Sequence, residues 1–331
     1  ILFVVVVAFS LAVRANVARK HCFPRGDEGP WLRMAARVGT SRFLLSNVVE
    51  HDLYRSRQSP HPEDNRSPLY PILLRAGSLA SSDMFRAAQF STILFNTVLL
   101  VAFGISIRLY RGPVASVAAM AFAAASPPFI QMSTHIYPDG IVAFAFFLFL
   151  AASRRLMSSP LRAAVGGIGL GLLFLLKSSA VFLIPALTPA LYFRKRSTGR
   201  AAVLSAFAAG FCIVSFPWMA RNFVEFGSPV YQFSGNMLYT DSMREVFSVG
   251  IAQPSFARYL RSHGALHVFL VRPLSGVVNL VQRFFVSDHH LTLALLPLAV
   301  LGLRVHRRNY AARLPAVVFT ALYGLVMAYV A

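Results

Sequence analysis

Carboxylates are scarce in this chain. Twelve Asp and Glu stand against 32 Lys and Arg in 331 residues, for a formal net charge of +20. Only 13% of the residues are charged, against roughly 25% in a soluble domain. Cysteine is almost absent. Cys22 falls in a polar stretch and Cys212 in an apolar one, so neither a disulfide framework nor a cysteine-based metal site is expected. No internal repeat is visible. No His/Asp/Glu group has ligand spacing beyond the loose pair His289-His290, so no metal and no cofactor is predicted.

What is abundant is apolar. Hydrophobic residues make up 56% of the chain, and the mean hydropathy is +0.59. These values predict an all-α polytopic membrane protein. A basic excess this large also suits nucleic acid. Here, however, the cations lie in loops between apolar runs, where they act as topology signals and contacts to anionic lipid, so nucleic acid is not an expected partner. The chain begins with Ile and ends inside an apolar run, which predicts a fragment or a processed form of something longer. Residues 1–13 could serve as the apolar region of a signal peptide. The lack of a basic segment before them favours a shortened first membrane helix.

Apolar runs predict a bundle of about nine spans: about 1–13, 86–107, 114–132, 140–153, 161–177, 180–193, 201–219, 289–303 and from 314 onward. Two long polar segments separate them, about 14–83 and 221–287. Each carries amphipathic stretches, 31–38 and the turn after Pro71 in the first and 266–286 in the second, expected as helices lying at the membrane surface. Residues 1–331 read as one transmembrane domain. Gly167-x-x-x-Gly171 fits close helix packing.

Sidedness follows from charge. The short loops after the second, fourth, sixth and eighth spans hold many Arg and Lys and no Asp or Glu. The positive-inside rule makes that face cytoplasmic and puts all twelve acids outside or at the outer interface. Among them, Asp27-Glu28 follow the first span and Asp139 opens the fourth, while Lys177 stands at the tip between the fifth and sixth. Ionisable groups at membrane depth are costly and mark function by default. Plainer readings stand beside this one: Lys177 snorkelling to the interface, Asp139 or Asp27 capping a helix, and Asp27-Glu28 as a solvated turn. Together the groups suit a lipid phosphate. Arg66 and Arg221 add cations for its oxygens, and a carboxylate takes a proton from an acceptor hydroxyl or amine. Two carboxylates at close range should push one pKa up toward the range of a general base.

These residues resemble the GT-C superfamily of integral-membrane glycosyltransferases, especially bacterial aminoarabinose transferases and protein O-mannosyltransferases. The resemblance rests on Asp27-Glu28-x-x-Trp31-x-x-x-Ala35, with Trp31 where Tyr is usual, and on Pro68 to Pro71 closing the first loop. It extends to Asp139 at a span start, to Leu176-Lys177-Ser178-Ser179, and to Trp218 to Asn222 leading to Phe226 to Pro229. It covers about residues 1–235; beyond these only hydropathy matches. It implies transfer of a sugar from a polyprenyl-phosphate carrier to a lipid, glycan or protein acceptor, outside the cytoplasm at a bacterial inner membrane. Asp27 is then the expected base, with Glu28 or Asp139 orienting acceptor or donor. The expected substrate- and phosphate-binding residues are Arg66, Tyr70, His135, Tyr137, Lys177 and Arg221. A transporter or flippase of a lipid-linked anion is the alternative, and a non-catalytic scaffold the third reading.

Overall fold

The computed structural model describes residues 1–46, 60–185, 187, 199–231, 238–241 and 255–286. They are overwhelmingly helical, with extended structure limited, among the described residues, to the two-residue strands Leu45–Ser46 and His61–Pro62. The chain divides into two compact units. One comprises Ile1–Ser46, Arg66–Val181 and Arg196–Arg221; the other comprises Asn47–Asn65, Phe182–Lys195 and Asn222–Ala331.

The first unit holds most of the described helices. Helix α1 (Leu2–Lys20) runs seven residues past the expected end of the first span. Its polar extension is stabilised by contacts the sequence hides: buried Arg14 donates to Ser133 Oγ at 2.6 Å and to the Ser10 carbonyl at 3.3 Å. Helix α2 (Glu28–Arg37) and helix α3 (Leu69–Gly77) are the expected short amphipathic helices. The first begins at Glu28, ahead of Trp31, and the second begins at Leu69, ahead of Pro71. Pro71 sits in the first turn, where a missing N–H costs nothing.

Helix α4 (Met84–Arg111) is the centre of this unit. Asp83 caps it, accepting from the N–H groups of Phe85 at 3.0 Å and Arg86 at 3.1 Å. Helices α5 (Pro113–Ala125) and α6 (Pro127–Thr134) are two halves of the expected third span, bent by 65° at Ser126. Pro127 and Pro128 supply no N–H, and a proline disfavours helical backbone at the residue before it, so the helix breaks there. Helix α7 (Asp139–Leu156) and helix α8 (Pro160–Leu176) follow. Leu100, Met120, Ala123, Ala124 and Phe144 form a core that joins α4, α5 and α7.

Helix α9 (Arg200–Phe226) packs against α8 almost backbone to backbone. A Cβ on Gly167 would lie 2.0 Å from the Phe207 carbonyl oxygen, and one on Gly210 would lie 2.1 Å from that of Ala164. Glycine on both sides is what permits this approach, as the Gly167-x-x-x-Gly171 pattern leads one to expect.

The burial pattern is that of a membrane helix bundle. On α4 the buried side includes Gln89, Ser91, Thr92, Asn96 and Thr97, while Phe90, Leu94, Val98 and Ile105 point outward. Apolar surface left in water forfeits about 25 cal/mol per Å², so hydrocarbon is the solvent that suits this face. Three described helices are long and apolar enough to cross a bilayer, α1, α4 and α9, and the bent pair α5–α6 makes a fourth candidate. Helices α7 and α8 are apolar but shorter. This is fewer than the nine spans expected. The eighth and ninth, and half of the sixth, fall outside the described residues, as does His289-His290.

The second unit contains, among its described residues, helix α10 (Phe256–Leu266), a π-helical turn at His267–Val271 and helix α11 (Arg272–Val286). The last of these lies within the stretch expected to be amphipathic.

Candidate functional site

The site is assembled from helix ends. Helix α1 stops at Lys20, and His21 turns the chain into extended backbone. Gly26, at φ +50°, makes the reversal that delivers Asp27 and Glu28 to the start of α2. An L side chain adopts that φ only with strain, and a Cβ at Gly26 would also meet the Tyr137 hydroxyl at 3.6 Å.

Asp27 occupies the N-cap position of α2 but makes no capping hydrogen bond with its side chain. Its Oδ1 instead accepts from Arg66 Nη2 at 3.1 Å. The guanidinium is 6% exposed and the carboxylate 71% exposed. Arg66 also lies over the Trp31 ring, 5.8 Å from its centroid, and Trp31 meets Tyr70 edge-on at 5.2 Å. Trp31 thus forms the wall behind the guanidinium. Tyr70 is fully buried and shares a 2.8 Å hydrogen bond with Thr92, whose own proton goes to the Ala88 carbonyl, so the phenol donates. Burial pushes the Tyr70 phenol far up.

Glu28 behaves differently from its neighbour. It is fully buried. Its Oε2 lies 2.7 Å from His21 Nε2 and accepts from the Arg25 N–H at 2.7 Å. Its Oε1 accepts from the Ile136 N–H at 2.8 Å and lies 3.2 Å from His135 Nδ1. Burial alone would raise this carboxyl, but the N–H groups of Arg25 and Ile136 and the His21 ring outweigh it and hold the group below its ordinary range. The expectation of a raised pKa therefore does not hold at Glu28. With both oxygens occupied by the protein, Glu28 ties α2 to the turn between α6 and α7 rather than facing a substrate.

Asp139 opens α7 without a side-chain capping bond and pairs with Lys177, which lies in extended backbone just after α8. Both groups are partly exposed, at 39% and 32%. Nearby in sequence, the buried Ser179 hydroxyl finds no hydrogen-bond partner among the described residues.

Tyr137 stands within electrostatic reach of the acids. Burial pushes its phenol up, and the charges of Glu28, Asp27 and Asp139, in that order, add to the shift. All three acids expected from the sequence therefore act on one hydroxyl. Its ring stacks on His135 at 5.7 Å. Arg221, the remaining expected cation, donates to the Leu44 carbonyl at 3.4 Å and lies over Trp218 at 4.9 Å. These contacts connect α9 to the segment after α2.

One participant escaped the sequence reading. His21 carries no local motif, and only the fold brings it to Glu28. With His135 it forms a group whose ligand atoms all lie within 4.8 Å of one another. Spacing along the chain could not reveal a cluster assembled from three separate helix ends. The chain matches no family model, no curated protein and no solved structure.

Proposed function

We propose that the protein is a glycosyltransferase of the GT-C type, moving a sugar from a polyprenyl-phosphate carrier to an acceptor on the extracytoplasmic face of a bacterial inner membrane. In this reading about nine helices cross the bilayer, and residues 14–83 and 221–287 lie outside. The observation that carries it is exposed Asp27 held at 3.1 Å by the buried Arg66 guanidinium, together with the Asp139–Lys177 pair. Asp27 is the exposed member and the base. It takes a proton from the acceptor hydroxyl or amine, and the freed lone pair attacks the anomeric carbon. The carbon–oxygen bond to phosphate then breaks, and the electron pair leaves with the polyprenyl phosphate. Attack opposite the leaving group inverts the anomeric centre. Lys177 is the group that exchanges Asp139 for the phosphate.

The test is incubation of the purified full-length chain with labelled polyprenyl-phosphate sugars and an acceptor extract, comparing wild type with Asp27→Asn. Release of label from the carrier by wild type alone supports the reading. No release with any donor counts against it.

A second reading draws on the 65° break between α5 and α6. Discontinuous helices line the substrate paths of transporters. A flippase would move the labelled lipid between leaflets of a vesicle and leave the sugar–phosphate bond intact, and that outcome separates the two.

A further inference from the structure

We propose that His21, Glu28 and His135 bind one divalent transition-metal ion of the zinc class. The inference does not rest on the glycosyltransferase reading.

Three helix ends deliver three ligand-type side chains to one point: the end of α1 and the start of α2, whose His21 and Glu28 are 7 residues apart, and the distant end of α6. Glu28 Oε2 stands 2.7 Å from His21 Nε2, and Glu28 Oε1 stands 3.2 Å from His135 Nδ1. Zinc holds imidazole nitrogen and carboxylate oxygen at about 2.0–2.1 Å, so tetrahedral ligands lie about 3.3 Å apart. For an ion to enter, the tighter pair opens by a few tenths of an ångström, and the ligand atoms, which lie within 4.8 Å of one another, draw in toward that spacing.

Hydrogen bonding alone leaves this cluster incomplete. His135 Nδ1 is buried and, despite its distance from Oε1, lacks the direction of a hydrogen bond. The two imidazoles are packed 4.4 Å apart, centre to centre, around a single carboxylate.

The supporting groups are in place too. The N–H groups of Arg25 and Ile136 fix the carboxylate, at 2.7 and 2.8 Å. Outer partners of this kind orient metal ligands. The donor set chooses the ion. Two imidazoles and one carboxylate suit zinc and its borderline neighbours, whereas calcium and magnesium require oxygen. Three protein ligands leave a further position for water. The bound ion would join α1, α2 and the α6–α7 turn, fixing Asp27 on one side of Glu28 and Tyr137 just beyond His135.

The test uses the full chain purified without a polyhistidine tag and stripped with a chelator. It is then equilibrated with Zn2+ or Co2+, desalted and analysed for metal. The expected result is one equivalent retained, with the visible d–d bands of low-coordinate cobalt with nitrogen ligands. His135→Gln and His21→Gln should each weaken binding by at least tenfold, while His263→Gln, outside the cluster, retains one equivalent. Size-exclusion profiles verify that the variants fold. If a variant does not fold, the stoichiometry and the cobalt spectrum of the wild type decide. Less than a tenth of an equivalent on the wild type overturns the proposal. So does full retention by folded His135→Gln and His21→Gln together.

Discussion

Arg66 Nη2 lies 3.1 Å from Asp27 Oδ1, with the cation buried and the anion open to solvent. Such a pair is a mount for the carboxylate more than a source of stability. The exposed partner limits the ion pair to under ~1 kcal/mol, and stacking of the guanidinium on Trp31 adds roughly 0.5–1 kcal/mol. Arg66→Ala is therefore expected to lower stability by about 1 kcal/mol but turnover by on the order of tenfold or more, because Asp27 loses its orientation. Thermal unfolding in detergent beside label release from the donor measures both; equal losses in the two would show a purely structural pair.

Asp27→Asn separates catalysis from capping. The Asp27 side chain makes no capping bond, so the change should leave stability within about 0.5 kcal/mol. Removal of the base should cost on the order of 100-fold in turnover, with donor binding preserved. Unchanged turnover would remove Asp27 from the reaction.

Lys177 and Asp139 are each about a third exposed, so their pairing contributes little to folding. Lys177→Ala is expected to weaken binding of a polyprenyl-phosphate donor several-fold while the melting temperature stays nearly constant. Binding measured with a non-hydrolysable carrier analogue checks this. A large drop in melting temperature with unchanged binding would instead make Lys177 a structural strut.

Acid sensitivity has a definite sign in the chelator-treated protein. Glu28 is held below its ordinary range, so its contribution exists above the unfolded-state value and is lost as pH falls through the lower folded-state one. The His135 ring is also held down. The unfolded ring protonates near about 6.5, so destabilisation starts as pH falls through that value and continues into the carboxylate range. Melting temperatures across this window should decline steadily, and His135→Gln should flatten the upper part of the decline.

Gly167→Leu tests the contact of α8 with α9. A Cβ there would stand 2.0 Å from a backbone oxygen, which cannot swing aside as a side chain can. The helices must separate, and the cost should reach the upper end of the ~1–3 kcal/mol typical of overpacking. Gly169→Leu is the control, because its Cβ would meet only Phe149 at 3.8 Å. Similar melting temperatures for the two variants would contradict the packing.

Hydropathy determined that this is a helical membrane protein, because apolar run length and the scarcity of charge act locally, residue by residue. It located α4, α7, α8 and α9 and the short amphipathic helices α2 and α3. The acids were also legible, since an ionisable group beside an apolar run is conspicuous without neighbours. Their partners were not. Asp27 finds Arg66 at a separation of 39 residues, Lys177 finds Asp139 at 38, and the Ile136 N–H reaches Glu28 across 108. Those pairings depend on where α1 ends, on the reversal at Gly26 and on the bend at Ser126. The end of α1 shows how packing overrides local signal: Arg14 ends the apolar run in the sequence, yet Ser10 and Ser133 satisfy its guanidinium and the helix continues to Lys20. The two members of Asp27-Glu28 look equivalent as letters. The helix start at Glu28 points one side chain into the protein and leaves the other in solvent, and only the tertiary structure decided which carboxylate stays exposed.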